Sequence, residues 1–153
     1  IQCHGPSVER GPRLMSLDCE TVVVAGNTRC LARVTLVQVT WPDRPDSIPS
    51  PASAQHKLIL DEFVRPPSAV LDYGISGVTP GDLQGATLTC STAACRRVAS
   101  CIAATDYLVG HGIHHDFNYL SLHHKRVIDT ACLFRYARLR RSLSLGDIYT
   151  RLF

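Results

Sequence analysis

Long apolar runs are missing from this 153-residue chain. Its longest clean stretches, such as Val22 to Ala25 and Leu58 to Leu60, fall far short of the roughly 20 residues needed to cross a bilayer, which excludes a transmembrane helix. An excess of one charge is also missing. Sixteen Lys and Arg against 13 Asp and Glu leave +3, so net charge alone selects neither a polybasic nor a polyacidic class. The seven cysteines, Cys3, Cys19, Cys30, Cys90, Cys95, Cys101 and Cys132, contain no C-x-x-C pair and are odd in number. That count argues against a disulfide framework or a zinc knuckle and for scattered thiols. The opening IQCHGPSVERGPRL has no basic start followed by an apolar stretch, so no secretory leader is expected and the predicted location is intracellular, nucleus or cytoplasm, away from membranes. Internal repeats and low-complexity tracts are lacking as well.

What is present suits one globular core. Hydrophobic residues make up 45% and charged residues 19%, a balance that excludes intrinsic disorder as the main state. At this length folding buries roughly two thirds of the extended-chain surface.

Residues 14–25 and 33–41 are rich in strand formers and flank Gly26-Asn27, which predicts an opening hairpin. Four prolines interrupt 42–55, so regular structure should stop there, and 42–56 reads as a long surface loop. A third strand is expected over 57–64, a loop with short turns over 65–83, and a first long helix over 91–108. Short strands are expected at 107–109 and 127–129, with helices over 115–123 and 130–137. Ser144 and Asp147 have the spacing of a capping box for a last helix. An antiparallel opening followed by alternating helices and strands predicts an α/β domain with a mixed sheet.

In LSLDCET, Asp18 and Glu20 are two apart, so on a strand both carboxylates project from one face and can converge on a divalent cation. The D-x-E pattern alone is common on solvent-facing strands. Here it sits in an apolar strand, where two uncompensated carboxylates repel and resist desolvation, and magnesium would relieve both costs. Asp116 follows VGHGIHH at the start of an expected helix, either as a third oxygen ligand or as a plain helix cap. Asp129 has the same two readings, with capping favoured.

Taken in order, several segments carry a family pattern: LDCE at 17–20, ARVTLVQV at 32–39, DEFVRPPSAVLDYGISGVTPGDL at 61–83, LVGHGIHHDFNYL at 108–120, VIDTACLF at 127–134 and RRSLSL at 140–145. The chain resembles the DEDD-type 3′→5′ exonucleases of the ribonuclease H-like fold, and most of all their RNA-degrading members. That resemblance implies a ribonuclease H-like mixed sheet with flanking helices. It implies hydrolysis of RNA from a single-stranded 3′ end to nucleoside 5′-monophosphates, with two Mg2+ or Mn2+ ions. Asp18 is then expected to bridge both ions, Glu20 to bind the ion nearer the nucleophile, and Asp116 the ion nearer the leaving group. A protein partner in an RNA-processing complex is a further implication.

The family pattern also requires a fourth aspartate and, in one branch, a histidine five residues before it, on a helix after the RRSLSL stretch. Asp147 follows that stretch but has the spacing of a capping partner for Ser144 and no histidine five residues before it, and no other aspartate or histidine follows by Phe153. The expectation is therefore a single exonuclease-like domain over 1–153, C-terminally incomplete and without the final helix. His111, His114 and His115 neighbour Asp116 and are not candidates for that base. Arg135, Arg138, Arg140 and Arg141, with Tyr136 among them, form a basic track suited to phosphates or to a solvated loop. Phe117 suits either a wedge against the terminal nucleotide or core packing. Trimming of structured RNA is slightly favoured over poly(A) removal, and a nuclease-like module that binds RNA or protein without cleaving it is the alternative of a different class.

Overall fold

The computed structural model describes residues 11–41, 51–74, 76–134 and 142–152. Strands β1 (Leu14–Val24) and β2 (Thr28–Thr40) form the expected hairpin, joined by a 3-10 turn over Ala25–Asn27. Gly26 and Asn27 take φ of 75° and 55° there, the left-handed region that glycine enters freely and asparagine tolerates. Strand β3 (Gln55–Phe63) lies antiparallel to β2, and β4 (Val70–Asp72) antiparallel to the far end of β1. Strand β5 (Tyr107–Gly110) runs parallel to β1, and β6 (Val127–Asp129) parallel to β5. The sheet order is β3-β2-β1-β5-β6, with β4 beside β1. The helices are α1 (Pro80–Gln84), α2 (Ser91–Cys101), α3 (His114–Leu120), α4 (Thr130–Leu133) and α5 (Leu145–Leu152). This is an open mixed sheet with flanking helices, the ribonuclease H-like α/β class that the sequence implied.

Two cores lie on opposite faces of β1. On one face Met15 and Leu17 pack with Val34 and Leu36 of β2, Leu60 of β3, and Ala94, Cys95 and Val98 of α2. On the other, Val22 and Val24 pack with Ala32, Val78 and Leu83 beneath α1. Alternation along β1 makes this division automatic, since its odd and even positions face opposite ways, and the register shift of β2 opposite Glu20 and Thr21 turns Ala32 to the face opposite Val34 and Leu36. Asp18 and Glu20 share the parity of Val22 and Val24 and immediately precede them, just outside the second core.

Several elements differ from the sequence expectation. The stretch 65–83, expected as a loop, contains β4 and the start of α1. The far end of β1 takes β4 as its second neighbour, and Thr79 with Asp82 forms a capping box that starts α1. Helix α2 stops at Cys101, short of Leu108, because residues 102–106 turn to place Asp106 under the start of β1. Strand β2 begins at Thr28, directly after the turn. Of the long loop over 42–56, residues 42–50 lie outside the described residues, 51–53 form a 3-10 turn, and β3 starts at Gln55. Residues 135–137 of the expected helix also lie outside. The Ser144–Asp147 box forms as expected, with Asp147 N–H donating to Ser144 Oγ at 3.1 Å and Ser144 Oγ to Asp147 Oδ2 at 2.8 Å. Cys19, Cys30, Cys90, Cys95 and Cys101 are free thiols. Among the described residues no helix is long and apolar enough to cross a membrane.

Candidate active site

The site begins at an interruption in the sheet. Strand β5 pairs with β1 only from Leu14 to Ser16, and β4 only at Val23 and Val24. Between them neither neighbour pairs with that edge of β1, although buried backbone groups need partners. Helix α3 comes to this gap. It brings the Asp116 carboxylate against Cys19, near enough for each to shift the other's titration. Cys19 has the opposite parity to Asp18 and Glu20, so it faces α3 while they face the second side of the sheet.

The electrostatics tie the three carboxylates together. Asp116, 8% exposed, is pushed up to about 6 by burial and then by the charge of Asp18, with the hydrogen bonds from Cys19 working the other way. Glu20 is raised by burial and by Asp18, opposed by Arg33, with a further push from Asp116. Burial and the negative charge of Asp116 drive the Cys19 thiol far up, so it stays a protonated donor. Asp18 is the exposed member of the group. Among the described residues no three His, Cys, Asp or Glu side chains converge closely enough to hold a metal ion. The carboxylates therefore feel one another's charge without forming a closed cage. Their chemistry still fits a hard dication: all donors are oxygens, and a positive ion would reverse the repulsion that raises Asp116 and Glu20.

A fixed cation borders the group. Register places Thr35 opposite Asp18 and Arg33 opposite Glu20. Arg33 forks onto Asp61 of β3, Nε to Oδ1 and Nη2 to Oδ2 both at 2.7 Å, and Thr35 Oγ1 donates to Asp61 Oδ1 at 3.2 Å. The guanidinium carbon lies 5.3 Å from the centre of the Phe63 ring. Neither Cys19 nor the Arg33–Asp61 pair stood out in the sequence. The parity of Cys19 between two acids was the available signal for the first, and only strand register reveals the second.

The other sequence candidates fall into place around this group. Asp129 caps α4, accepting from Ala131 N–H at 2.9 Å, and also accepts from Gly112 N–H at 2.8 Å. His111 Nδ1 lies 3.0 Å from Thr130 Oγ1, and the exposed His114 stacks at a tilt on His115. Phe117 is half-buried, packed in part against the larger core. Arg138, Arg140 and Arg141, with Arg135 and Tyr136, lie outside the described residues.

No family model matches the chain. Among curated proteins, the chain is 35% identical over 131 residues to Small RNA degrading nuclease 3 of Arabidopsis thaliana, spanning 84% of this chain and 15% of that protein. It is 34% identical over 125 residues to Small RNA degrading nuclease 2 of the same plant, spanning 80% and 23%. RNA exonuclease 4 of Kluyveromyces lactis is 31% identical over 140 residues, spanning 88% and 40%. The chain belongs to the DEDD-type exonuclease family. This DEDD-type chain thus corresponds to well under half the length of each of these relatives. Among solved structures its fold matches the exonuclease-containing module of Saccharomyces cerevisiae Pan2, with a TM-score of 0.70 at 22% identity over 95% of this chain and 25% of that one. The DEDD-type fold is also matched by the same module solved with AAGGA RNA, with a TM-score of 0.71.

Proposed function

We propose that this domain shortens single-stranded RNA from its 3′ end by metal-assisted hydrolysis, releasing nucleoside 5′-monophosphates. The observation that carries the reading is the placement of Asp18 and Glu20 on one face of β1 at its open edge, with the buried Asp116 of α3 near enough to be raised by Asp18 and to raise Glu20, in a chain of this family. Asp18, Glu20 and Asp116 would hold two Mg2+ or Mn2+ ions, which supply Lewis acidity and a nucleophile at neutral pH. The protein's own part is positional. Asp116 meets Cys19 at the open edge of β1, and Arg33, fixed by Asp61, keeps a positive charge beside Glu20. In the reaction a water oxygen forms the new bond to phosphorus, the bond from phosphorus to the 3′ oxygen breaks, and that oxygen takes a proton.

Trimming of RNAs other than poly(A) is favoured. Likeness to the curated RNA nucleases reaches 35% identity, against 22% for the Pan2 module. Phe117 and the basic residues Arg138, Arg140 and Arg141 are proposed RNA contacts, a protein partner in an RNA-processing complex is proposed, and the proposed location is nucleus or cytoplasm. The test is a 5′-labelled RNA incubated with the full-length protein, beside an oligo(A) of the same length. Stepwise shortening should require Mg2+ or Mn2+ and be abolished by Asp18→Ala. Degradation that persists in that variant without metal would overturn the site. RNA binding with no shortening by the wild-type protein would favour the non-cleaving module, and shortening of oligo(A) alone would favour the poly(A) reading.

A further inference from the structure

We infer that Asp129 and Thr130 are positioning residues that latch the turn over 110–113, so that α3 presents Asp116 to the open edge of β1. The inference rests on reading Asp116 as a carboxylate of the working site. Strand β6 ends beside β5 with Gly110 paired to Asp129. From there two consecutive side chains seize three consecutive turn residues. Asp129 Oδ1 accepts from Gly112 N–H at 2.8 Å and from Ala131 N–H at 2.9 Å. Thr130 Oγ1 donates to the Gly110 carbonyl at 3.0 Å. A hydroxyl has one proton, so its 3.0 Å contact with His111 Nδ1 is a bond that it accepts, which fixes the proton of that ring on Nδ1.

The turn is rigidly joined to the helix that follows. Gly112 has φ +68°, a conformation that glycine takes without strain. His115 N–H donates to the Gly112 carbonyl at 2.9 Å, and Phe117 N–H to the Ile113 carbonyl at 3.0 Å. Asp116 lies between those two donors, so movement of the turn is movement of Asp116. A metal-holding role for Asp129 would require its charge. The latch does not, because both donors meet the same oxygen, Oδ1, and an amide oxygen at that place has two lone pairs with which to accept both.

The full-length protein tests this with Asp129→Ala, Asp129→Asn, Thr130→Val and Thr130→Ser, read by two measurements. One is hydrogen–deuterium exchange of peptides covering 108–118. The other is the part of Mn2+ binding that Asp18→Ala removes. Asp129→Ala and Thr130→Val should speed exchange in the turn and weaken that Mn2+ binding about 10- to 100-fold, the usual cost of losing a group that orients a ligand. Asp129→Asn and Thr130→Ser should restore both to near the wild-type level. If Asp129→Asn loses Mn2+ as fully as Asp129→Ala while exchange in the turn is unchanged, Asp129 acts through its charge and the latch is overturned. Unchanged exchange and binding in both Asp129→Ala and Thr130→Val overturn it too. Should Asp129→Ala fail to fold, Thr130→Val set against Thr130→Ser gives the same decision. If the wild-type protein shows no Asp18-dependent Mn2+ binding, the reading of the site fails, and unchanged exchange in Thr130→Val still refutes the latch separately.

Discussion

At the scale of single residues, the buried carboxylate of Asp106, 1% exposed, shows how completely a charge must be met inside a fold. It accepts from Arg13 N–H at 3.1 Å, from Arg13 Nε at 3.2 Å and Nη2 at 2.6 Å, and from Ala103 N–H at 2.7 Å. Arg13 Nη2 also reaches the Cys101 carbonyl at 2.9 Å, so one side chain ties the entrance of β1 to the end of α2. Burial pushes Asp106 upward, yet the bonds from Arg13 and Ala103 win and hold it below the usual carboxylate range. Removing Arg13 would strand a buried charge, and such losses cost about 3–5 kcal/mol. Arg13→Ala should therefore lower the urea midpoint with an unchanged slope. A midpoint equal to the wild-type value would show that the pair contributes nothing. Nothing in the sequence announced this pair, because Arg13 and Asp106 are 93 positions apart and each reads locally as a polar flank. Asp18, Glu20 and Asp116 stood out as candidates for the opposite reason: what singles them out is local spacing, D-x-E on one strand and an aspartate just inside a helix.

Elements tell a different story, in which a strand or helix is legible when its own periodicity demands it and hidden when a neighbour creates it. Strands β1, β2 and β3 and helices α2 and α5 carry their patterns in sequence. Strand β4 has only three residues and exists because the end of β1 offers it an edge, so composition alone read it as loop. The turn from β5 into α3 is the element on which the site depends. A Cβ added at Gly110 would lie 2.9 Å from Cβ and Cγ1 of Ile113, closer than carbon atoms pack. Ile113 is itself buried and opens α3, so it has little room to yield. Gly110→Ala should cost about 1–3 kcal/mol, as overpacking does. It should also reduce metal-dependent RNA shortening by more than that instability explains, because Ile113 moves with Asp116. Activity per folded molecule equal to the wild-type value would show that α3 tolerates the displacement.

For the whole molecule, stability, pH and metal are linked through Asp116. Its pKa in the fold is about 6, against an ordinary 3.8, so the folded state binds this proton more tightly than the unfolded chain. The sign follows: the contribution is fully present below about pH 4 and is lost as pH rises through 6, a change of about 3 kcal/mol at most. Glu20, raised for the same reasons, acts in the same direction. Asp61 and Asp106, both lowered, act the other way, and their share is lost only as pH falls through their folded values, so the window from about pH 4.5 to 7 isolates the site. Without metal, the stability difference between wild type and Asp116→Asn should shift against the wild type as pH climbs through that window. A dication binds the ionised carboxylates and competes with the proton, so the thermal shift on adding Mg2+ should grow over the same range. At a hundred times the dissociation constant, binding to the folded state alone adds about 2.7 kcal/mol. Asp18→Ala and Asp116→Asn should both remove the metal-induced shift. A Mg2+ shift of equal size at pH 5 and pH 7, or one that survives both substitutions, would place the cation elsewhere on the molecule.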